Sequence, residues 1–155
     1  MYKKHSIFEL TKTINIMQRI ILFLTFFAVG LIATFAQDTY SITIEFSGME
    51  TDKGAIYVGL HDSKANFLKK RFKETVIAVK DNKATVTFEN IPQGEYAVSA
   101  FHDENDNKKM DTKIFGIPKE PIGISNNATG FMGPPKYKDA KFIVDKDITL
   151  LIKMN

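Results

Sequence analysis

Short runs in which apolar and polar residues alternate make up most of the chain beyond residue 40. In the first, Ile42, Ile44 and Phe46 fall on one side and Thr43 and Glu45 on the other, the period-two signature of a half-buried strand. In the second, Ile56, Val58 and Leu60 are set against Tyr57 and Gly59. The connection between them runs from Ser47-Gly48 to Lys53-Gly54, which predicts an antiparallel hairpin. Residues 64–73 fit either a helical turn or a loop with Phe67, Leu68 and Phe72 packed down. Segments 75–79 and 84–88 are two more strands around Asp81-Asn82-Lys83, where Asp and Asn tolerate left-handed backbone. Ala84, Val86 and Phe88 form the inward set of the second. Asn90 to Gly94 is a turn, and Pro92 excludes a central strand at that point. Segment 95–101 follows, with Tyr96, Val98 and Ala100 on one face, and 140–144 and 148–152 make a final pair around Asp145-Lys146-Asp147.

About seven short strands with regular turns and no long helix predict an all-β chain. The expected architecture is an antiparallel β-sandwich, immunoglobulin-like or transthyretin-like, in preference to a barrel. One weak echo runs through it: GAIYVGLHD (54–62) and GEYAVSAFHD (94–103) each end a strand in His-Asp.

Residues 102–137 break the pattern. A connection this long is either a functional loop or disordered, and the spaced Phe115, Ile117, Ile122, Ile124 and Phe131 favour an ordered, packed loop. It divides into an oxygen-rich entry, 103–111, and a cover, 114–135, with Gly and Pro fixing its bends.

The N-terminus has a different character. Arg19 precedes an uncharged apolar run, 20–36, with small residues at Thr34 and Ala36, which predicts a secretory signal cleaved before Gln37. Met17-Gln-Arg is an ordinary start for such a signal, so translation from Met1 or from Met17 both fit. The expected organisation is an extension and signal over 1–36 and one domain over 37–155. Export to the periplasm or the exterior follows, without stable membrane insertion after cleavage. No Cys follows the run, so no lipoprotein anchor is expected.

Charge changes with that division. Four of the 21 basic residues (Lys3, Lys4, Lys12, Arg19) and one of the 18 acidic ones (Glu9) precede Gln37. The remainder is formally neutral, which gives no reason to expect nucleic acid or an anionic membrane as partner. Lys69, Lys70, Arg71 and Lys73 read as a solvated face. With no Cys, the domain holds together without disulfides, and a metal clip would help.

The clearest candidate chemistry lies in the loop entry. Asp103, Asn105, Asn107 and Asp111 stand at positions one, three, five and nine, and Lys109 supplies a backbone carbonyl at seven, as in a calcium loop. Lys108 replaces the Gly of an EF-hand at position six, and Ile114 replaces its bidentate Glu at twelve. A missing ligand would come from Glu104, Asp106, Asp62 or Glu120. The alternative is an Asx-rich turn bonding its own backbone. Any Ca2+ affinity is expected in the weak range of extracellular modules, roughly 10⁻⁴ to 10⁻³ M. His61 and His102 each precede an Asp and offer a zinc or general-base pair, or ordinary hydrogen bonds to loop backbone. No nucleophile elbow, phosphate loop or HExxH motif appears.

HDENDN (102–107), GIPKE (116–120), SNN (125–127) and GPP (133–135) before Phe-x-Val resemble the signature of bacterial exported proteins catalogued as domain of unknown function 2141. The resemblance spans about residues 40–154 and implies no activity; members often carry Gly where this chain has Lys108. The first expectation is an exported, non-enzymatic module that binds an extracytoplasmic ligand or protein through loop 102–137. The alternatives are a metal-dependent enzyme using His61, His102 and the acidic loop, and a structural or adhesion subunit.

Overall fold

The alternating runs become strands because each has one side to bury. The computed structural model describes residues 17–24, 38–131 and 133–155. Residues 17–24 are helical (α1), while the cleavage point expected before Gln37 and most of the apolar run lie outside the described residues. No helix among the described residues is long and apolar enough to cross a membrane. The chain divides into units 1–37 and 38–155.

In the second unit β1 (Thr39–Ser47), β2 (Ala55–His61), β3 (Lys73–Ala78), β4 (Ala84–Pro92) and β5 (Gly94–Asp103) follow in order. Then come β6 (Ile122–Ile124), the helical turn α2 (Tyr137–Ala140), β7 (Phe142–Val144) and β8 (Ile148–Lys153). Short 3-10 turns at Ile114–Gly116 and Ser125–Asn127 flank β6.

One sheet has the order β4-β1-β8, and the other runs β3-β2-β5-β6, with β7 joined to the start of β5. The chain is therefore the expected β-sandwich, with eight strands among the described residues in two sheets that do not close into a barrel. Ile42, Ile44 and Phe46 of β1 meet Ile56, Val58 and Leu60 of β2, Val98 of β5 and Ile152 of β8 in one core. Burying each such side chain fully contributes about 1.5–3 kcal/mol. The C-terminal residues join the sheets at one edge: Met154 N–H donates to Ser47 O, and Ile122 and Asn155 exchange two backbone hydrogen bonds of 3.0 Å.

Two expected pairings do not form. β1 and β2 make no hairpin, because their connection crosses from one sheet to the other. Asp52 in that connection accepts the backbone N–H groups of Asp81 and Asn82 at 2.9 and 2.7 Å. Those two residues are left-handed, with φ of 53° and 55°. The final pair is also absent: Ala140 ends α2, β7 pairs with β5, and β8 lies parallel to β1. In 64–73 only Phe67 is buried; Leu68 and Phe72 are 42% and 41% exposed.

β5 is covered on both faces. Tyr96, Val98 and Ala100 face the main core, while Ala97 belongs to a second cluster with Phe67, Ile124, Tyr137 and Ala140. Both clusters and all the strand pairings close within 38–155, so this unit holds what it needs to fold alone.

Candidate functional site

β5 delivers its last residues into the oxygen-rich loop. Asp103 is fully buried, and its carboxylate accepts the backbone N–H of Asn107 (3.2 Å) and of Lys108 (2.7 Å). Asn105 Oδ1 accepts the Asn107 N–H at 3.0 Å, and Asn107 Oδ1 accepts the Lys109 N–H at 2.9 Å. The alternating side chains thus wind the backbone into a tight turn. Asp106 and Lys108 sit at φ 55° and 64°, so Lys108 adopts the left-handed conformation for which an EF-hand uses Gly.

The far side of the turn closes on Asp111. Asn105 and Asn107 donate their amide N–H groups to its Oδ2 at 2.8 and 3.1 Å. Asp111 N–H in turn donates to Glu120 Oε2 at 3.1 Å, and Asp111 O accepts the Lys119 N–H at 2.8 Å. Of the four candidate extra ligands, Glu120 is the one the fold ties to Asp111. Asp62 instead accepts from Asn66 and Ser63, and the Asn66 bond is the main cause of its lowered pKa.

Glu120 is 8% exposed, and its Oε1 is buried without a hydrogen-bond partner. Burial pushes its carboxyl above the ordinary 4.5; the Asp111 N–H opposes this, and the charges of Asp103, Asp111 and Glu104 add to it. Among the described residues no three His, Asp or Glu groups converge as a ready-made metal cluster. The loop offers carboxylates linked through carboxamides and backbone, arranged around a turn. To hold a cation it would exchange the two amide donors on Asp111 for the ion.

The two histidines are not brought together. Ile56 pairs with His102 and His61 with Ala97, so they stand at opposite ends of the β2/β5 ladder. His102 shares the face of Tyr96, Val98 and Ala100, whereas His61 is on the face opposite Leu60. The sequence echo is two antiparallel neighbours. His102 Nε2–H donates to Lys53 O at 2.8 Å, while Nδ1, buried and without a hydrogen bond, lies 3.7 Å from Glu104 Oε1. His61 Nδ1–H donates to Lys70 O at 2.9 Å, which leaves Nε2 of the neutral ring to accept from Ser99 Oγ–H, also at 2.9 Å. Ser99, paired with Gly59 across the ladder, carries no sequence signal that marks it beside His61.

The second half of the loop is less packed than its composition suggests. Ile124 is buried and Ile122 half-buried in β6, but Ile114, Phe115 and Phe131 are 79%, 97% and 92% exposed. The SNN motif fastens the loop back. Ser125 Oγ accepts the Val98 N–H (2.9 Å) and donates to Ala140 O (2.6 Å). Asn126 Nδ2–H donates to Lys141 O at 2.9 Å, and Asn127 Oδ1 accepts the Lys153 N–H at 2.9 Å.

No curated protein and no solved structure matches the chain. Residues 44–150 match the family model described as an uncharacterized protein conserved in bacteria (DUF2141), and the chain belongs to that family.

Proposed function

For this member of an uncharacterized bacterial family, we propose an exported, non-enzymatic β-sandwich module whose loop 102–137 is ordered by a calcium ion and used for binding. The observation that supports it is the placement of Glu120. Its buried, unpartnered Oε1 lies on a carboxylate already bonded to Asp111, in a turn wound by Asp103, Asn105 and Asn107. A buried acceptor without a donor costs free energy, and a hard cation satisfies several such oxygens at once. Asp103, Asn105, Asn107, the Lys109 carbonyl, Asp111 and Glu120 would supply its ligands. Bound calcium would clip the exit of β5 to the segment that leads into β6. Export gives such a weak site a setting in which calcium is abundant.

Thermal melting of 38–155 tests this. With Kd near 10⁻⁴ to 10⁻³ M, about 10 mM calcium stabilises the fold by roughly 1.4–2.7 kcal/mol. Melting should rise by about 5–10 °C over the EDTA control. An unchanged melting temperature would remove calcium from the proposal.

A further inference from the structure

The outer face of β2 and β5 floors a cleft of about 760 Å³ whose other walls come from the long loop, from residues 68–71 and from Lys153 and Asn155. That volume lies within the roughly 300–1,000 Å³ of small-molecule sites. We infer that the cleft binds a single-chain amphiphile with an anionic carboxylate head. This deepens the binding part of the proposed function and does not depend on calcium.

Two cations lie at one end of the cleft, and the rest is mainly apolar, with Asn127, Thr129, Lys153 and Asn155 as further polar lining residues. At the polar end Gly59 faces Ser99 across the ladder, and a Cβ at residue 59 would lie 2.9 Å from Arg71 Cδ. The missing side chain is what lets Arg71 lie across the sheet beside Ser99. One guanidinium nitrogen of Arg71 is held by Glu74 at 2.9 Å, leaving others for a ligand. Lys69 also lines the cleft, with no ion pair among the described residues. Next to them is the part-buried His61–Ser99 hydrogen bond. Two cations at one end fit a carboxylate, while the Ser99 hydroxyl already gives its proton to His61 Nε2.

One step along the strands the surface changes. Tyr57 and Phe101 stack with centroids 4.9 Å apart and planes 11° from parallel. Ile122 of β6 pairs beside Phe101, and Phe115 and Ile117 of the loop line the same cleft. Phe115 is 97% exposed and held at φ 67°. An apolar chain laid from Ser99 towards Phe115 would cover these groups. A peptide strand has no free edge beside β6, because Asn155 already bonds Ile122 there.

The test is calorimetric titration of 38–155 with dodecanoate, dodecyltrimethylammonium and octyl glucoside, each below its micelle concentration, in EDTA. Expected are saturable one-to-one dodecanoate binding and at least tenfold weaker binding of the cationic and sugar-headed chains. Amide resonances of Tyr57, Ser99 and Phe101 should shift. Affinity should fall about threefold to fourfold per CH2 removed, from dodecanoate to decanoate to octanoate. Lys69→Glu, at an exposed position that leaves the fold intact, should weaken dodecanoate about tenfold, and Arg71→Gln similarly. Equal binding of all three head groups, shifts confined to other surfaces, or no saturation would each overturn the inference. If calcium fails to shift the melt while dodecanoate binds, the metal reading falls and this one stands.

Discussion

Replacing Glu120 with Gln separates the cost of its carboxylate from its use. In EDTA the wild-type protein keeps a carboxylate at 8% exposure with one oxygen unpartnered. Gln retains an acceptor for the Asp111 N–H and removes the charge. Unsatisfied buried groups cost about 1–3 kcal/mol, but the new amide group needs a partner, so the gain is set near the lower end. About 1 kcal/mol corresponds to roughly 4 °C in a domain of this size. In calcium the order should reverse, since wild type gains about 1.4–2.7 kcal/mol at 10 mM and the variant loses a charged ligand. The pH profile carries the same signature. A raised carboxyl pKa means the folded state binds more protons than the unfolded one just above 4.5, so this group's contribution falls as pH rises through that window. Wild-type stability minus that of Glu120→Gln, measured by urea melts in EDTA, should therefore decline from pH 4.5 upwards and then level off. A variant that is less stable in both buffers, or one with an undiminished calcium shift, would refute the reasoning.

Two further substitutions probe the loop and its fastening. Lys108→Gly relieves a left-handed non-glycine residue at φ 64°, a conformation costing about 1–2 kcal/mol. After the entropy that Gly adds to the unfolded chain, melting should rise by a few degrees, and calcium affinity should increase; a lower melting temperature would contradict the conformational reading. Ser125→Ala leaves the buried Val98 N–H and Ala140 O without their side-chain partner. Urea denaturation should show a loss of about 2–4 kcal/mol, and a loss below 0.5 kcal/mol would mean the motif fastens nothing.

The strands were readable where one face is buried and the other is not. β1 alternates in sequence and in burial alike. Pairing was not readable, because it depends on partners distant in sequence. The parallel contact of Ile42 with Ile148 leaves no local trace, and neither does the bond from Asp52 to the turn at Asp81. β6 was hidden by its length and its Gly. Gly123 must be small because a Cβ would lie 2.5 Å from Met154 Sδ, a contact visible only in the fold. β5 did carry a missed signal: Tyr96 to Phe101 is almost continuously apolar, which marks a strand covered on both faces. In the loop, spacing drew attention to Asp103, Asn105, Asn107 and Asp111, but no spacing rule selects Glu120 from its rivals. The register that seats it beside Asp111 is set by the Lys119–Asp111 and Asp111–Glu120 bonds. The cleft gave no linear motif, since Ser99, Gly59 and Arg71 meet only through strand pairing and the packing of Arg71 over Gly59.

A crystal structure of 38–155 grown in calcium tests the central claim most directly. One anomalous peak is expected in the loop, with six or seven oxygens at about 2.3–2.6 Å. They should come from Asp103, Asn105, Asn107, the Lys109 carbonyl, Asp111 and Glu120, with any remainder from water. A loop that keeps the Asn105 and Asn107 amides on Asp111 and shows no peak at saturating calcium would contradict it.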